Sequence, residues 1–438
     1  ASLAHKTHEA REAQPAWAAT PLSERLARVR RFGELLAERR EPLAATLTSE
    51  MGKPIVQARN EIKAMQGRID FFLEHTERAI ADEVVHHSSK APALEERIRY
   101  EPLGVVANIS AWNYPYFVGS NVFLPALLTG NAVLYKPSEH ATLTGLAIAE
   151  LMNDAGVPQD VFKAVIGGGD AGRTLLEQQI DAIYFTGSYA TGRRIAESVA
   201  PRLIRVQLEL GGKDPAYVCD DADVARAAHA VAEGAFYNAG QSCCAVERVY
   251  VHRRIAGTFT EAFVAAVRDY SVGDPMEEST FIGPLARKAQ LDVLEDQVAD
   301  ATRLGARLLL GGARRKGRGF YFEPTVLTGV DLRMKVMREE SFGPIIGIQE
   351  VGGDDEAVDL MNDTEYGLTA AVYTPDRNRA ERLLGRVNAG TVYWTCCDRV
   401  SPRLPWTGRK HSGIGSTLSV AGIRAFVQPK AWHLRCEC

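Results

Sequence analysis

Two adjacent cysteines, Cys243 and Cys244, follow a Gly-Gln-Ser turn in the stretch FYNAGQSCCAVERVYV, residues 236–251. A thiolate is a strong nucleophile, but a thiol with an ordinary pKa near 8.5 is only a few per cent ionised at neutral pH and needs help from its surroundings. Cysteine is also among the most buried residue types, so a sulfur is a small core hydrophobe until other residues argue otherwise. Glu209 ends the run RVQLE just before Gly211 and Gly212, where a carboxylate can act as a base or simply face solvent. Asn113 lies in SAWNYP, where its amide can donate to an oxyanion or merely form a turn. LYKPSEH sets Lys136 and Glu139 after a strand-like run, a cation and a carboxylate suited to ribose hydroxyls, and REESFGPI carries Glu340 two residues before Phe342.

Two glycine-bearing turns compete for a phosphate. VIGGGDAG, 165–172, satisfies G-x-G-x-x-G through Gly167, Gly169 and Gly172, but no acidic residue ends a strand about 20 residues on, as the dinucleotide fingerprint requires. It reads better as a plain Gly-rich turn, one that can still line a nucleotide without being the pyrophosphate loop. In YFTGSYATG, 184–192, a strand runs into Gly187 and Ser188 and then a helix, whose first N–H groups suit an anion. The seven cysteines, at 219, 243, 244, 396, 397, 436 and 438, include no CxxC pair. No His or second pair stands at finger spacing, and no metal is expected.

The elements that must position these groups follow from periodicity. Residues 22–85 have apolar positions three and four apart on a charged background and are expected to be helices without chemistry of their own. From Pro102 short aliphatic runs alternate with amphipathic stretches, which predicts a parallel sheet and an α/β fold. The pattern resumes after Ser242, giving a second α/β unit with a tight junction near 209–213, the kind of place ligands favour. The tail AFVQPKAWHLR alternates like a strand with no partner nearby in sequence and is expected to pair with another subunit.

At 438 residues the chain exceeds one ordinary core. Its 46% hydrophobic and 24% charged content is that of a soluble globular protein, and no run has the length of a membrane span. A net charge of −4 with scattered Lys and Arg gives no footprint for nucleic acid. The polar N-terminus reads as neither signal peptide nor anchor, so a reducing cytoplasm is expected.

Taken together, WNYP, KPSE, FTGS, ELGGKDP, NAGQSCCA, EESFGPI and NDTEYGLTA occur in one order over 112–370, and LPWTGRKHSGIG follows. In this the chain resembles the aldehyde dehydrogenase superfamily, in its NAD(P)-dependent, hydrolytic, non-acylating branch. The resemblance implies an α/β fold with a modified Rossmann cofactor domain (1–83 and 103–211), an α/β catalytic domain (212–426) and a small bridging oligomerisation sheet (84–102 and 427–438). It implies Cys243 as nucleophile, Glu209 as general base, and the Asn113 amide with the Cys243 backbone N–H as oxyanion donors. The implied cofactor is NAD, with NADP as the alternative. Lys136, Ser138, Glu139, Gly169 and Gly172 would hold one end, and Ser110, Trp112, Phe185, Thr186, Gly187 and Ser188 its middle. Leu210, Gly211, Glu340 and Phe342 would hold the nicotinamide end.

The substrate pocket implied is Tyr114, Phe117, Val118, Asn121, Cys244 and Trp406, a largely apolar wall. Relatives specific for succinic semialdehyde commonly place an Arg where this chain has Asn121. An apolar aliphatic or aromatic aldehyde is therefore expected, with a carboxylated semialdehyde as an alternative through Arg399 or Arg403. A catalytically silent binding protein is the other alternative, and the presence of Cys243 and Glu209 argues against it. A homodimer or homotetramer is expected. The chain departs from the family pattern at Ala111, where Pro is common, and at Thr407, where Gly is common. It also begins inside the first helices, without the leading strands many members carry.

Overall fold

The computed structural model describes residues 2–90 and 93–436, so Cys438 and the last two positions of the expected bridging segment lie outside the described residues. Four helices come first, Leu3–Ala19, Leu22–Glu38, Arg40–Met51 and Ile55–Ala79. The last buries Ile62, Met65, Ile69 and Phe72 along one stripe against the helix Pro115–Leu128, as its 3.6-residue periodicity requires.

A six-stranded sheet follows, in the order Gly413–Ile414, Arg205–Glu209, Ala182–Thr186, Val105–Ile109, Ala132–Lys136, Phe162–Ala164. Its last five strands are mutually parallel. Three of them are buried nearly end to end, as expected of runs covered by helices on both faces. Register fixes the row where they end: Ile109 stands beside Lys136 and Phe185, and Thr186 beside Glu209. In open parallel sheets ligands gather outside that carboxyl edge.

Only Leu210–Lys213 separates this sheet from a seven-stranded one, ordered Arg307–Leu310, Thr325–Thr328, Ile345–Val351, Val246–His252, Asp214–Val218, Thr369–Tyr373, Thr391–Trp394. All its pairings are parallel except the first. Val246–His252, the strand after the cysteines, is wholly buried although it carries Glu247 and Arg248. Arg248 is satisfied by the carbonyls of Lys213, Leu360 and Met361 at 2.8–3.0 Å, and Glu247 receives the Lys213 ammonium at 2.7 Å.

The third sheet is antiparallel, Glu83–Ser88, Ala93–Pro102 and Val427–Cys436. The tail strand pairs within its own chain, Val427 opposite Pro102 through Cys436 opposite Ala93. Its partner lies more than 300 residues back, out of reach of any argument from neighbouring sequence. No described helix is long and apolar enough to cross a membrane.

Candidate active site

Cys243 is reached through an unusual turn. Asn238, Ala239 and Gly240 hold φ of 55°, 55° and 69°, three left-handed residues in succession. Such backbone survives only where the surroundings over-determine it. The Asn238 N–H donates to Gln57 Oε1 at 2.9 Å, and its amide donates to the carbonyls of Asn113 (3.2 Å) and Gln241 (3.1 Å). The Ala286 N–H donates to Gln241 Oε1 at 3.0 Å. A Cβ on Gly240 would meet the Gly343 carbonyl oxygen at 2.3 Å, so both the positive φ and the close approach require glycine. The Asn113 amide donates to the Gln241 carbonyl at 3.1 Å, which leaves a second N–H on that nitrogen.

Cys243 borders two cavities. One, of about 310 Å³, is lined by Asn113, Glu209, Leu210, Gly211 and Ser188, with Glu340 and Phe342 across from them. The other, of about 580 Å³, is lined by Tyr114, Phe117, Val118, Asn121, Cys244 and Trp406, the whole set expected for a substrate wall. A third cavity, of about 540 Å³, continues from the first past Ala111, Trp112, Thr186 and Gly187. Ser110 and Phe185 line it, as do Lys136, Ser138, Glu139, Gly169 and Gly172. The Gly-rich turn thus lines a cavity at the start of the helix Gly169–Leu176, while Ser188 caps the helix Tyr189–Val199 by accepting from the Thr191 N–H. The catalytic, cofactor and substrate-wall candidates all line one of these three spaces, as does Arg399, whereas Arg403 is exposed and lines none of them.

Glu209 is buried at the end of its strand. Burial pushes its pKa up to about 7, against hydrogen bonds from Thr417 and Gln207 and the charge of Arg68, which pull it down. A carboxyl with a pKa near 7 is suited to general-base work at neutral pH. The two glycines after it exist for close approach: a Cβ on Gly211 would lie 2.2 Å from Glu340 Oε1, and one on Gly212 would lie 2.7 Å from the Cys243 carbonyl oxygen. The Gly212 N–H donates to Glu340 Oε1 at 3.1 Å. Burial and the neighbouring charge of Glu247 raise the Glu340 pKa. Beneath it, the N–H groups of Ser341 and Phe342 donate to Glu247 at 2.8 and 2.9 Å, and Lys213 donates to Ser341 Oγ at 2.9 Å. This buried pair fixes the loop that presents Glu340.

The second cysteine is a different group. The Cys244 thiol donates to Asp398 Oδ1 at 2.9 Å, and contact with Cys243, burial and the charge of Asp398 push its pKa well above the ordinary value. Burial likewise raises Cys219 and Cys397, each to about 12, and Cys396. These thiols are protonated at neutral pH.

Lys136 tests the fit of the third cavity to a nucleotide. The residue is 4% exposed, and its ammonium forms no ion pair among the described residues and donates only to the Pro137 carbonyl at 3.3 Å. A buried cation with unused donors beside Glu139 matches a ribose carrying vicinal hydroxyls.

The sequence left other groups unseen. The helix Ile55–Ala79, expected to be silent, turns Gln57, Asn60, Glu61, Ala64 and Arg68 onto the 580 Å³ cavity. Their three- and four-residue spacing was the available signal, and it is visible only as polar residues on a face that turns out to be buried. Asp398 comes from a loop with φ of 58° at Thr395 and 49° at Asp398, which no local pattern announces. Arg287 stands over the Trp112 ring at 5.8 Å in the cavity that holds Glu209. Thr417 reaches Glu209 from the far end of the chain, in a segment where Trp406 and Thr417 exchange backbone hydrogen bonds.

Comparison with known proteins agrees with this geometry. The chain is 35% identical over 418 residues to a peroxisomal aminoaldehyde dehydrogenase 2 of Malus domestica, covering 94% of this chain and 83% of that one. It is 35% identical over 429 residues to a betaine aldehyde dehydrogenase of Brucella anthropi, covering 97% and 87%. The solved structure of an NAD-dependent aldehyde dehydrogenase from Sinorhizobium meliloti superposes with a TM-score of 0.94 at 34% identity, covering 98% of this chain and 86% of that one. Residues 2–432 match the aldehyde dehydrogenase family as a whole, and to that family the chain belongs.

Proposed function

We propose that this aldehyde dehydrogenase converts an aldehyde to its carboxylic acid through a covalent adduct on Cys243 and a thioester that water hydrolyses. The observation that carries the reading is the place of Cys243, bordering both the apolar-walled cavity and the one that contains Glu209 and Asn113. The Cys243 sulfur adds to the aldehyde carbon, and the oxygen takes up negative charge within reach of the Asn113 amide. Donors of this kind are typically worth about 3 kcal/mol each in the transition state. NAD, when bound, supplies the hydride acceptor that makes the oxidation to a thioester possible. Lys136 and Glu139 would hold its adenosine ribose, Ser188 and the helix start after it the pyrophosphate, and Glu340 and Phe342 the nicotinamide end. Glu209, with its pKa near 7, takes a proton from the water that attacks the thioester. That water releases the acid and returns the sulfur.

The body of the substrate is aliphatic or aromatic, because Tyr114, Phe117, Val118 and Trp406 form its wall. A cationic aldehyde is a second reading, supported by Asp398 and Glu233 on the same cavity and by the names of the relatives. We also place the enzyme in the cytoplasm, and as a homodimer or homotetramer, the latter supported by the three-stranded sheet, whose two outer strands each have one strand neighbour in it. The test is NADH and acid production from hexanal, benzaldehyde, succinic semialdehyde and betaine aldehyde side by side, without coenzyme A or phosphate. Hexanal and benzaldehyde should show the highest kcat/KM. A preference for succinic semialdehyde would overturn the substrate reading, and a requirement for coenzyme A would overturn the hydrolytic one.

A further inference from the structure

Two charged residues of the helix Ile55–Ala79 border the substrate cavity, and their situations differ. Glu61 is fully engaged: Lys53 pairs with it, and the N–H groups of Tyr116 and Phe117 donate to its other oxygen at 3.0 and 3.4 Å. Arg68 is 5% exposed and forms no ion pair among the described residues. Of the five N–H donors on a guanidinium, only Nε–H is used, donating to Asn121 Oδ1 at 3.2 Å. Its flat face lies 3.7 Å from the centre of the Phe117 ring. Burial lowers its pKa to about 10, so it stays charged at neutral pH. The remaining donors have no protein acceptor, and the side chain lines the space an aldehyde would enter, where an acceptor of the substrate can reach them.

We infer that Arg68 is a specificity-determining residue that receives a neutral oxygen acceptor, a hydroxyl, ether or carbonyl, carried on the aliphatic or aromatic body of the aldehyde. The inference rests on the proposed oxidation at Cys243 and deepens it. A neutral acceptor is favoured over a carboxylate by the charges already present. Glu61, Glu233 and Asp398 line the cavity together with Arg68 and Arg399, and Lys53 lies 3.7 Å over the Tyr114 ring. The Arg68 charge also acts on Glu209, so the acids already match or outnumber the cations. A further acid would be buried without a partner of its own, whereas an ether or hydroxyl oxygen takes an unused N–H without adding charge.

The test uses pairs of aldehydes that differ by one oxygen in place of one methylene: 3- and 4-methoxybenzaldehyde against 3- and 4-ethylbenzaldehyde. The ratio of kcat/KM within each pair is compared between the wild type and Arg68→Met, so that electronic effects of the substituent cancel. At the ring position that reaches Arg68, the methoxy-to-ethyl ratio should fall about tenfold in the variant, mostly through KM, as expected for losing a charge-assisted hydrogen bond. Arg68→Lys should retain part of the ratio, and because each ratio is internal to one preparation, partial misfolding does not mimic the effect. Ratios equal within about twofold for every pair would overturn the proposal. So would a wild-type preference for 4-carboxybenzaldehyde over the methoxy aldehydes that is lost in Arg68→Met, since the occupant would then be an anion. NADH formation from the ethyl aldehydes by the wild type shows the oxidation itself, so flat ratios beside it count against Arg68 alone.

Discussion

On one side of Cys243 the wall is made by the ends of neighbouring parallel strands and the turns that leave them: Glu209, Gly211, Thr186 and Gly187, with Lys136 farther along. On the other side it is made by two helices, Ile55–Ala79 and Pro115–Leu128, and by a loop around Thr395–Val400 whose backbone enters the left-handed region twice. The first wall is held by a ladder of backbone hydrogen bonds, so its residues keep their places whatever the neighbouring side chains are. The second is held by side chains, such as Arg68 on Asn121 and Cys244 on Asp398. A site built this way combines a fixed reaction centre with a substrate wall that single substitutions can remodel.

That contrast is open to breakage at several points. The largest effect belongs to the residue both walls share: Cys243→Ser should lower turnover by on the order of a thousandfold or more, measured as steady-state NADH formation. Next comes the fixed wall. Glu209→Gln should slow thioester hydrolysis by roughly a hundredfold and leave a burst of NADH before the slow phase. Wild-type turnover should also rise with pH through about 7, the Glu209 pKa, and lose that rise in the variant. Stability gives an independent reading of the same group. A carboxyl whose pKa is raised from 4.5 to about 7 on folding contributes stability that is full below 4.5 and is lost as pH rises through 7. Glu209→Gln should therefore raise the melting temperature at pH 8 and leave it nearly unchanged at pH 4.5. An equal shift at both would show that the carboxyl is not buried as described.

A smaller effect is expected at the far cavity. The wild type should prefer NAD, since a 2′-phosphate would meet the Glu139 carboxylate, and Glu139→Gln should narrow the NAD-to-NADP ratio of kcat/KM by about fivefold. An unchanged ratio would move the adenosine ribose away from Glu139. The smallest effect is expected next door to the largest: Cys244→Ser should keep turnover within about threefold, because a hydroxyl can also donate to Asp398. If Cys244→Ser is dead and Cys243→Ser is active, the two sulfurs have been assigned the wrong way round.

The same contrast decided what could be read from the chain. The strand-end residues travel in short motifs, so Glu209 with Gly211 and Gly212, and Lys136 with Ser138 and Glu139, are visible as local strings whose spacing is their geometry. Cys243 stood out only once those strings were taken in order. Arg68 sits in an amphipathic helix where a charged residue ordinarily faces water, and its burial depends on Pro115–Leu128, a separate element packed against it. The tail strand was recognisable as a strand from its alternation, which reports a strand's own faces and says nothing of what lies beside it; its grouping with 84–102 came from the family resemblance alone.

Glu209 and Thr417 are 208 positions apart, and the two residues Gly413 and Ile414 pair with Glu209 and Leu208 at the edge of the six-stranded sheet. On the ribosome this has a temporal meaning. Cys243 emerges long before Thr417, and at about 5–20 residues per second the interval is roughly 10 to 35 s. During that interval the nascent polypeptide carries Cys243 while Glu209 lacks its hydroxyl partner and its neighbouring strand. An aldehyde that met the thiol so early would form only a thiohemiacetal and leave again, because the residues that complete the site are not yet made. The order of synthesis thus makes the last stretch of the chain the one that completes the surroundings of Glu209.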